Sequence, residues 1–197
     1  MRFLSITFLL FSITACDYTN QVSEELNQEP YYDLTGLVER QLAHLNSLRP
    51  SVEIMATING QQEVETMQKD SADWVETLKL FSEASINRPV LQGSYQVKDS
   101  TDQNGLNIRI YRAQQPADVE IPYLAVYYQD TLQNVRKIET VFLEKNALYR
   151  TERRMEMQLS SSEQGPLLTK YQSSGTQKMI FRDSVHYRVE ATLKYPS

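Results

Sequence analysis

At 197 residues, with 41% hydrophobic and 23% charged side chains, the chain has the size and balance of one folded domain, which excludes wholesale disorder and a multi-span membrane protein. One cysteine, two histidines and six glycines leave no residue set for a metal cluster, a disulfide framework or a glycine-rich phosphate loop, and nothing calls for a cofactor. The formal net charge of −5 argues against nucleic acid as a partner.

Residues 1–15 are the first element. Arg2 precedes an apolar run from Phe3 to Ile13, interrupted only by Ser5, Thr7 and Ser12, and small residues lead up to Cys16. A basic start, a short apolar stretch and a small-residue end are the anatomy of a secretion signal. The run is too short to span a bilayer, which takes roughly 20 residues as a helix. At its end, Ile13-Thr14-Ala15-Cys16 resembles the lipobox of bacterial lipoproteins, whose cysteine is diacylated, freed by cleavage and usually acylated again on its amine. Ile13 and Thr14 depart from the commoner Leu and from Ser or Ala. The resemblance implies lipidation at Cys16 and a membrane-anchored lipoprotein of the cell envelope, facing the periplasm. Two or three acyl chains anchor a protein for practical purposes permanently. Asp17 directly after such a cysteine is associated with inner-membrane retention in enteric-type bacteria; the rule is not general, so inner and outer membrane both stay open. Residues 16–31 therefore read as the acylated cysteine and an acidic tether, about 20 Å end to end as a flexible coil.

The remainder, 32–197, reads as a single α+β domain. Leu34, Leu37, Val38, Leu42, Leu45 and Leu48 recur at helical spacing between a cap at Asp33 and a stop at Pro50. His44 lies beside this stripe and is expected at the surface. Val52, Ile54, Ala56 and Ile58 then alternate with more polar residues up to Asn59-Gly60, the strongest short hairpin signal, because both turn positions need positive φ. A second helix is predicted after Asp70 or Ser71, burying Trp74, Leu78 and Phe81 and leaving through Asn87-Arg88-Pro89.

From Gly93 onward the period is two. Strands are predicted at 93–99, 105–112, 122–129, 134–144, 147–159, 167–174, 176–182 and 185–194, with Ser174-Gly175 taken as one of the turns. Connections this short join antiparallel neighbours, giving a meander whose order in space follows the sequence. Eight to ten strands at about 4.8 Å make a sheet some 40 to 48 Å wide, while two helices of about 10 Å cover half of it. The sheet is therefore expected to curl around the helices as a half-barrel or barrel-like layer.

In outline this order of elements is similar to the half-barrel lipoprotein carriers and receptors of the Lol type, which hold acyl chains between sheet and helical lid. The resemblance covers 32–195 as architecture and carries no functional residue across. It implies a non-enzymatic lipoprotein binding a hydrophobic or lipidic ligand in that space; the alternative is an accessory interaction subunit of an envelope protein complex. Nine of the twelve tyrosines fall between 93 and 195. Tyr127, Tyr149, Arg153, Met155 and Met157 are the ligand-binding candidates: the methionines as adaptable apolar lining, the tyrosines for stacking, and Arg153 because it falls on the apolar face of its strand. Met179, Phe142 and Phe181 belong to the same possible lining.

Arg150, Glu152, Arg154 and Glu156 alternate along the other face as a solvated charged ladder. Asp183, Ser184 and His186 are pieces of a triad without its geometry, because neighbours on one strand do not supply the line from hydroxyl to imidazole to carboxylate. No catalytic residue is assigned. Charge is uneven: residues 17–104 carry 6 basic and 15 acidic side chains, and 105–197 carry 13 and 10.

Overall fold

The structure, a computed structural model, describes residues 31–179 and 183–196. The expected leader, Cys16, the expected tether up to residue 30 and Phe181 lie outside the described residues.

Helix α1 (Leu34–Leu48) starts where Asp33 accepts from the Gly36 N–H at 2.7 Å and stops at Arg49, whose positive φ of 46° precedes Pro50. Its buried residues are Leu34, Leu37, Val38, Gln41 and Leu45. The hairpin β1 (Ser51–Ile58) and β2 (Gln61–Gln68) turns at Asn59 and Gly60, both at positive φ. Helix α2 (Ser71–Glu83) opens with a reciprocal capping box between Asp70 and Asp73 and buries Trp74, Leu78 and Phe81. A short 3-10 turn at Pro89–Leu91 leads into the meander β3 (Tyr95–Thr101), β4 (Asn107–Ala113), β5 (Tyr123–Tyr128), β6 (Val135–Lys145), β7 (Tyr149–Ser162), β8 (Gly165–Met179) and β9 (Val185–Lys194).

All ladders are antiparallel, and the nine strands lie in the order β2-β1-β9-β8-β7-β6-β5-β4-β3. The meander keeps sequence order as its short connections require. The N-terminal hairpin, released from β3 by the intervening α2, pairs instead with β9, from Ser51 opposite Lys194 to Ile58 opposite Tyr187.

One expectation is corrected. Ser174-Gly175 is not a turn, and the separately predicted segments 167–174 and 176–182 are one strand, β8, as far as Met179. The glycine serves a different purpose there. A Cβ on Gly175 would lie 2.4 Å from the Glu152 carbonyl and 2.8 Å from the Tyr187 hydroxyl, so the residue clears room for an aromatic side chain to cross the strand.

One core cluster gathers the buried faces of both helices with side chains from every strand except β2, whose Met67 packs against it half-buried. Two helices of about 10 Å diameter could not reach eight strands of a level sheet about 40 Å wide, so the sheet wraps around them. Among the described residues no ladder joins β2 to β3; the curl is open. Gln41, buried within α1, ties helix to sheet by accepting from Leu168 N–H at 2.8 Å and donating to the Pro166 carbonyl at 2.9 Å. At the other end of the helix, Tyr31 meets the rings of Tyr95 and Tyr111 edge-on at 5.3 and 5.7 Å.

Candidate functional site

Register decides which candidates share a face. Along β7, Tyr149, Arg153, Met155 and Met157 are on the helix-side face with Thr151 and Leu159, whereas Tyr127 of β5 is on the outer face, opposite Lys137 and Ile108. Four of the five share a face, spread along β7 from Tyr149 to Met157, and the fifth faces the other way.

Met157 is fully buried and Met155 nearly so, both within the core cluster that also holds Leu168 and Trp74. Neither lines any of the described clefts. Arg153 sits in a cross-sheet row running Phe142, Arg153, Gly175, Tyr187, Ile58. Its Nε donates to the Tyr187 hydroxyl at 2.9 Å, and its guanidinium lies 5.7 Å from the Phe142 ring centroid. A neutral hydroxyl and a π-face therefore hold this cation on the apolar side of the strand. The Tyr149 hydroxyl donates to the Glu144 carboxylate, and that bond is the main cause of its raised pKa. On the outer face Tyr127 donates to Glu139 at 2.8 Å, while Lys137 bonds the same carboxylate and lies 3.8 Å from the Tyr127 ring centroid. Burial first, then the bond to Glu139, raises the Tyr127 pKa.

The described clefts are at the rim. One of about 540 Å³ lies between Thr35 of α1, the exit of α2 at Glu83 and Ser85, and Phe142 and Glu144 of β6. A neighbour of about 420 Å³ shares Glu120 and Glu144 and is roofed by the loop from Pro116 to Glu120. Arg88 reaches Glu120 at 3.7 Å. These walls carry carboxylates, hydroxyls and a single guanidinium within the first cleft; neither cleft is lined by a histidine to activate a hydroxyl or by a cysteine to act as nucleophile. Among the described residues no group of three or more His, Cys, Asp or Glu could hold a metal ion. The triad pieces separate as well: His186 Nδ1 pairs with Thr176 Oγ1 at 2.9 Å, and Asp183 and Ser184 precede β9. His44 is half-buried rather than at the surface, and its Nδ1 is buried without a hydrogen-bond partner.

The outer face carries the expected charged ladder. Lys194 pairs with Glu53, Lys170 and Arg188 with Glu190, and Arg154 with Glu152. Lys170 and Arg188 together hold the Glu190 carboxyl below its ordinary pKa, the Lys170 bond being the larger cause. Arg150 departs from the pattern. It is directly opposite Lys145 on one side and Lys178 on the other, and none of these three exposed cations has an ion pair among the described residues. Strand alternation shows Arg150 facing outward; only the pairing register reveals its neighbours, so sequence reasoning missed the row.

Among the described residues no helix is long and apolar enough to cross a membrane. Comparison with protein-family profiles gives no match to this chain, and a search among curated proteins finds no significant match.

Proposed function

We propose that this chain is a non-enzymatic, lipid-anchored lipoprotein of the cell envelope whose folded domain works as an interaction module, an accessory subunit docking on other envelope components. The observation that carries the interaction reading is the occupied space between helices and sheet. Met157, Leu168, Trp74 and Leu78, each at most 1% exposed, fill the region where a half-barrel carrier would seat its ligand. Anchoring is supported by Ile13-Thr14-Ala15-Cys16 at the end of the apolar run, with the chain's one cysteine at the position acylated in lipoproteins.

The experiment has two readouts. Intact mass spectrometry of the full chain expressed in a bacterial envelope is expected to show cleavage before Cys16 and two or three acyl chains, both lost in Cys16→Ser. Cross-linking in membranes is expected to recover a stoichiometric protein partner. An acylated chain that carries co-purifying lipid in native mass spectra and has no protein partner would return the carrier reading, which the open curl of the sheet favours.

A further inference from the structure

We infer that one end of the sheet, the end from which the N-terminal tether departs, is a docking surface for an anionic phospholipid bilayer. The inference rests on the anchored reading for the membrane's nearness, and on the cation row for its chemistry.

Lys145, Arg150 and Lys178 occupy successive places in one cross-strand row at the ends of β6, β7 and β8. Like charges placed directly opposite each other repel, so the row disfavours the isolated fold and gains from an anionic partner. Three carboxylates at this end have partners of their own: Glu144 accepts from Tyr149, Glu120 faces Arg88 and Glu152 faces Arg154. Asp118 and Asp183 remain at the rim. A phosphate-rich surface meets all three cations at once, which a single carboxylate cannot.

Apolar side chains are exposed at the same end of the sheet. Leu148, in the β6–β7 turn, is 70% exposed; Val90, beside the loop that roofs the neighbouring cleft, is 82% exposed; Ile58, at the tip of the hairpin, is 55% exposed. Met179 and Val185, at the facing ends of β8 and β9, are exposed too. Cations with protruding aliphatic tips suit the headgroup boundary, where charge meets phosphate and methyl groups enter the acyl region.

The third observation is where the chain enters. Tyr31, the first described residue, donates its hydroxyl to the Leu91 carbonyl at 3.2 Å and accepts from Tyr95 N–H at 3.3 Å. That places it beside the 3-10 turn bearing Val90. The fifteen residues from Cys16 to Pro30 thus join the domain at the cationic end, and an anchor there holds this end nearest the bilayer.

The test uses the full chain reconstituted into vesicles of phosphatidylcholine, with or without phosphatidylglycerol, doped with brominated lipid. Leu148→Trp reports contact at the proposed end and Ser47→Trp reports the opposite end; wild-type Trp74 emission is the background. Bromolipid is expected to quench Leu148→Trp in phosphatidylglycerol vesicles and leave Ser47→Trp unchanged. Replacing Lys145, Arg150 and Lys178 by Gln is expected to weaken bilayer contact about fivefold per charge and on the order of a hundredfold together. Urea midpoints at or slightly above that of the wild type would show that these variants still fold. Equal quenching of both reporters, none at Leu148, or protein cross-links replacing lipid contact at that end would overturn the assignment. Intact mass reports acylation separately. In an unacylated chain, co-flotation with the same vesicles tests the row directly.

Discussion

At one end of the curled sheet, Val52, Leu168 and Leu193 cluster with Leu45 and Trp74 and are almost wholly hidden from solvent; at the other, Ile58, Met179 and Val185 point to the same helix-side face and stay exposed. The sequence alternates equally well at both ends. The difference comes from where the helices stop. Gln41 fastens α1 over the start of β8, while α2 leaves the sheet beside Phe142 and Glu144. Inward direction is thus a property of the strand, and burial is a property of the roof above it.

The largest expected break in this comparison is Trp74→Ala at the covered end, which should cost about 3 to 5 kcal/mol by urea denaturation. Leu148→Ala at the uncovered end should stay within about 0.5 kcal/mol in the same assay. Gly175→Ala should cost about 2 kcal/mol, because its Cβ would enter the Glu152 carbonyl and the Tyr187 hydroxyl. Tyr187→Ala in the same chain should recover part of that loss, whereas a loss untouched by it would locate the clash at the backbone carbonyl.

Alkaline unfolding sharpens the contrast. Burial raises the Tyr171 pKa to about 12, so the fold favours the neutral phenol. Its stabilisation is complete below the unfolded value near 10 and is lost as pH rises from there to about 12. Tyr171→Phe should remove a stability loss of about 2 kcal/mol across that interval, read from urea midpoints at stepped pH. Gln41→Ala would strand the Leu168 N–H and the Pro166 carbonyl and cost about 1 to 2 kcal/mol. The smallest effect has the opposite sign: Arg150→Gln relieves two like-charge contacts and should raise the urea midpoint by a few tenths of a kcal/mol, less at high salt.

Local chemistry was readable in the chain. Asp33 and Pro50 bound α1, Asp70 starts α2, and Asn59-Gly60 turns the hairpin, because each acts through its immediate backbone. Gly175 misled because a glycine that opens a turn and one that admits a neighbouring ring look alike until the neighbour is known. Tyr127 was unreadable for another reason. Tyr123 to Tyr128 is apolar or aromatic throughout, so no alternation marks its faces. The junction of β1 with β9 and the meeting of Lys145, Arg150 and Lys178 depend on pairing between segments far apart in sequence.

The place of β9 has a consequence for how the molecule is made. Among the described strands β9 comes last in the chain, yet it is an interior member of the sheet, flanked by β8 and by β1. A chain emerging N-terminus first cannot seat the β1–β2 hairpin on the meander until Lys194 is out. Native assembly of this sheet therefore waits for β9, and folding of the hairpin side cannot run ahead of the meander.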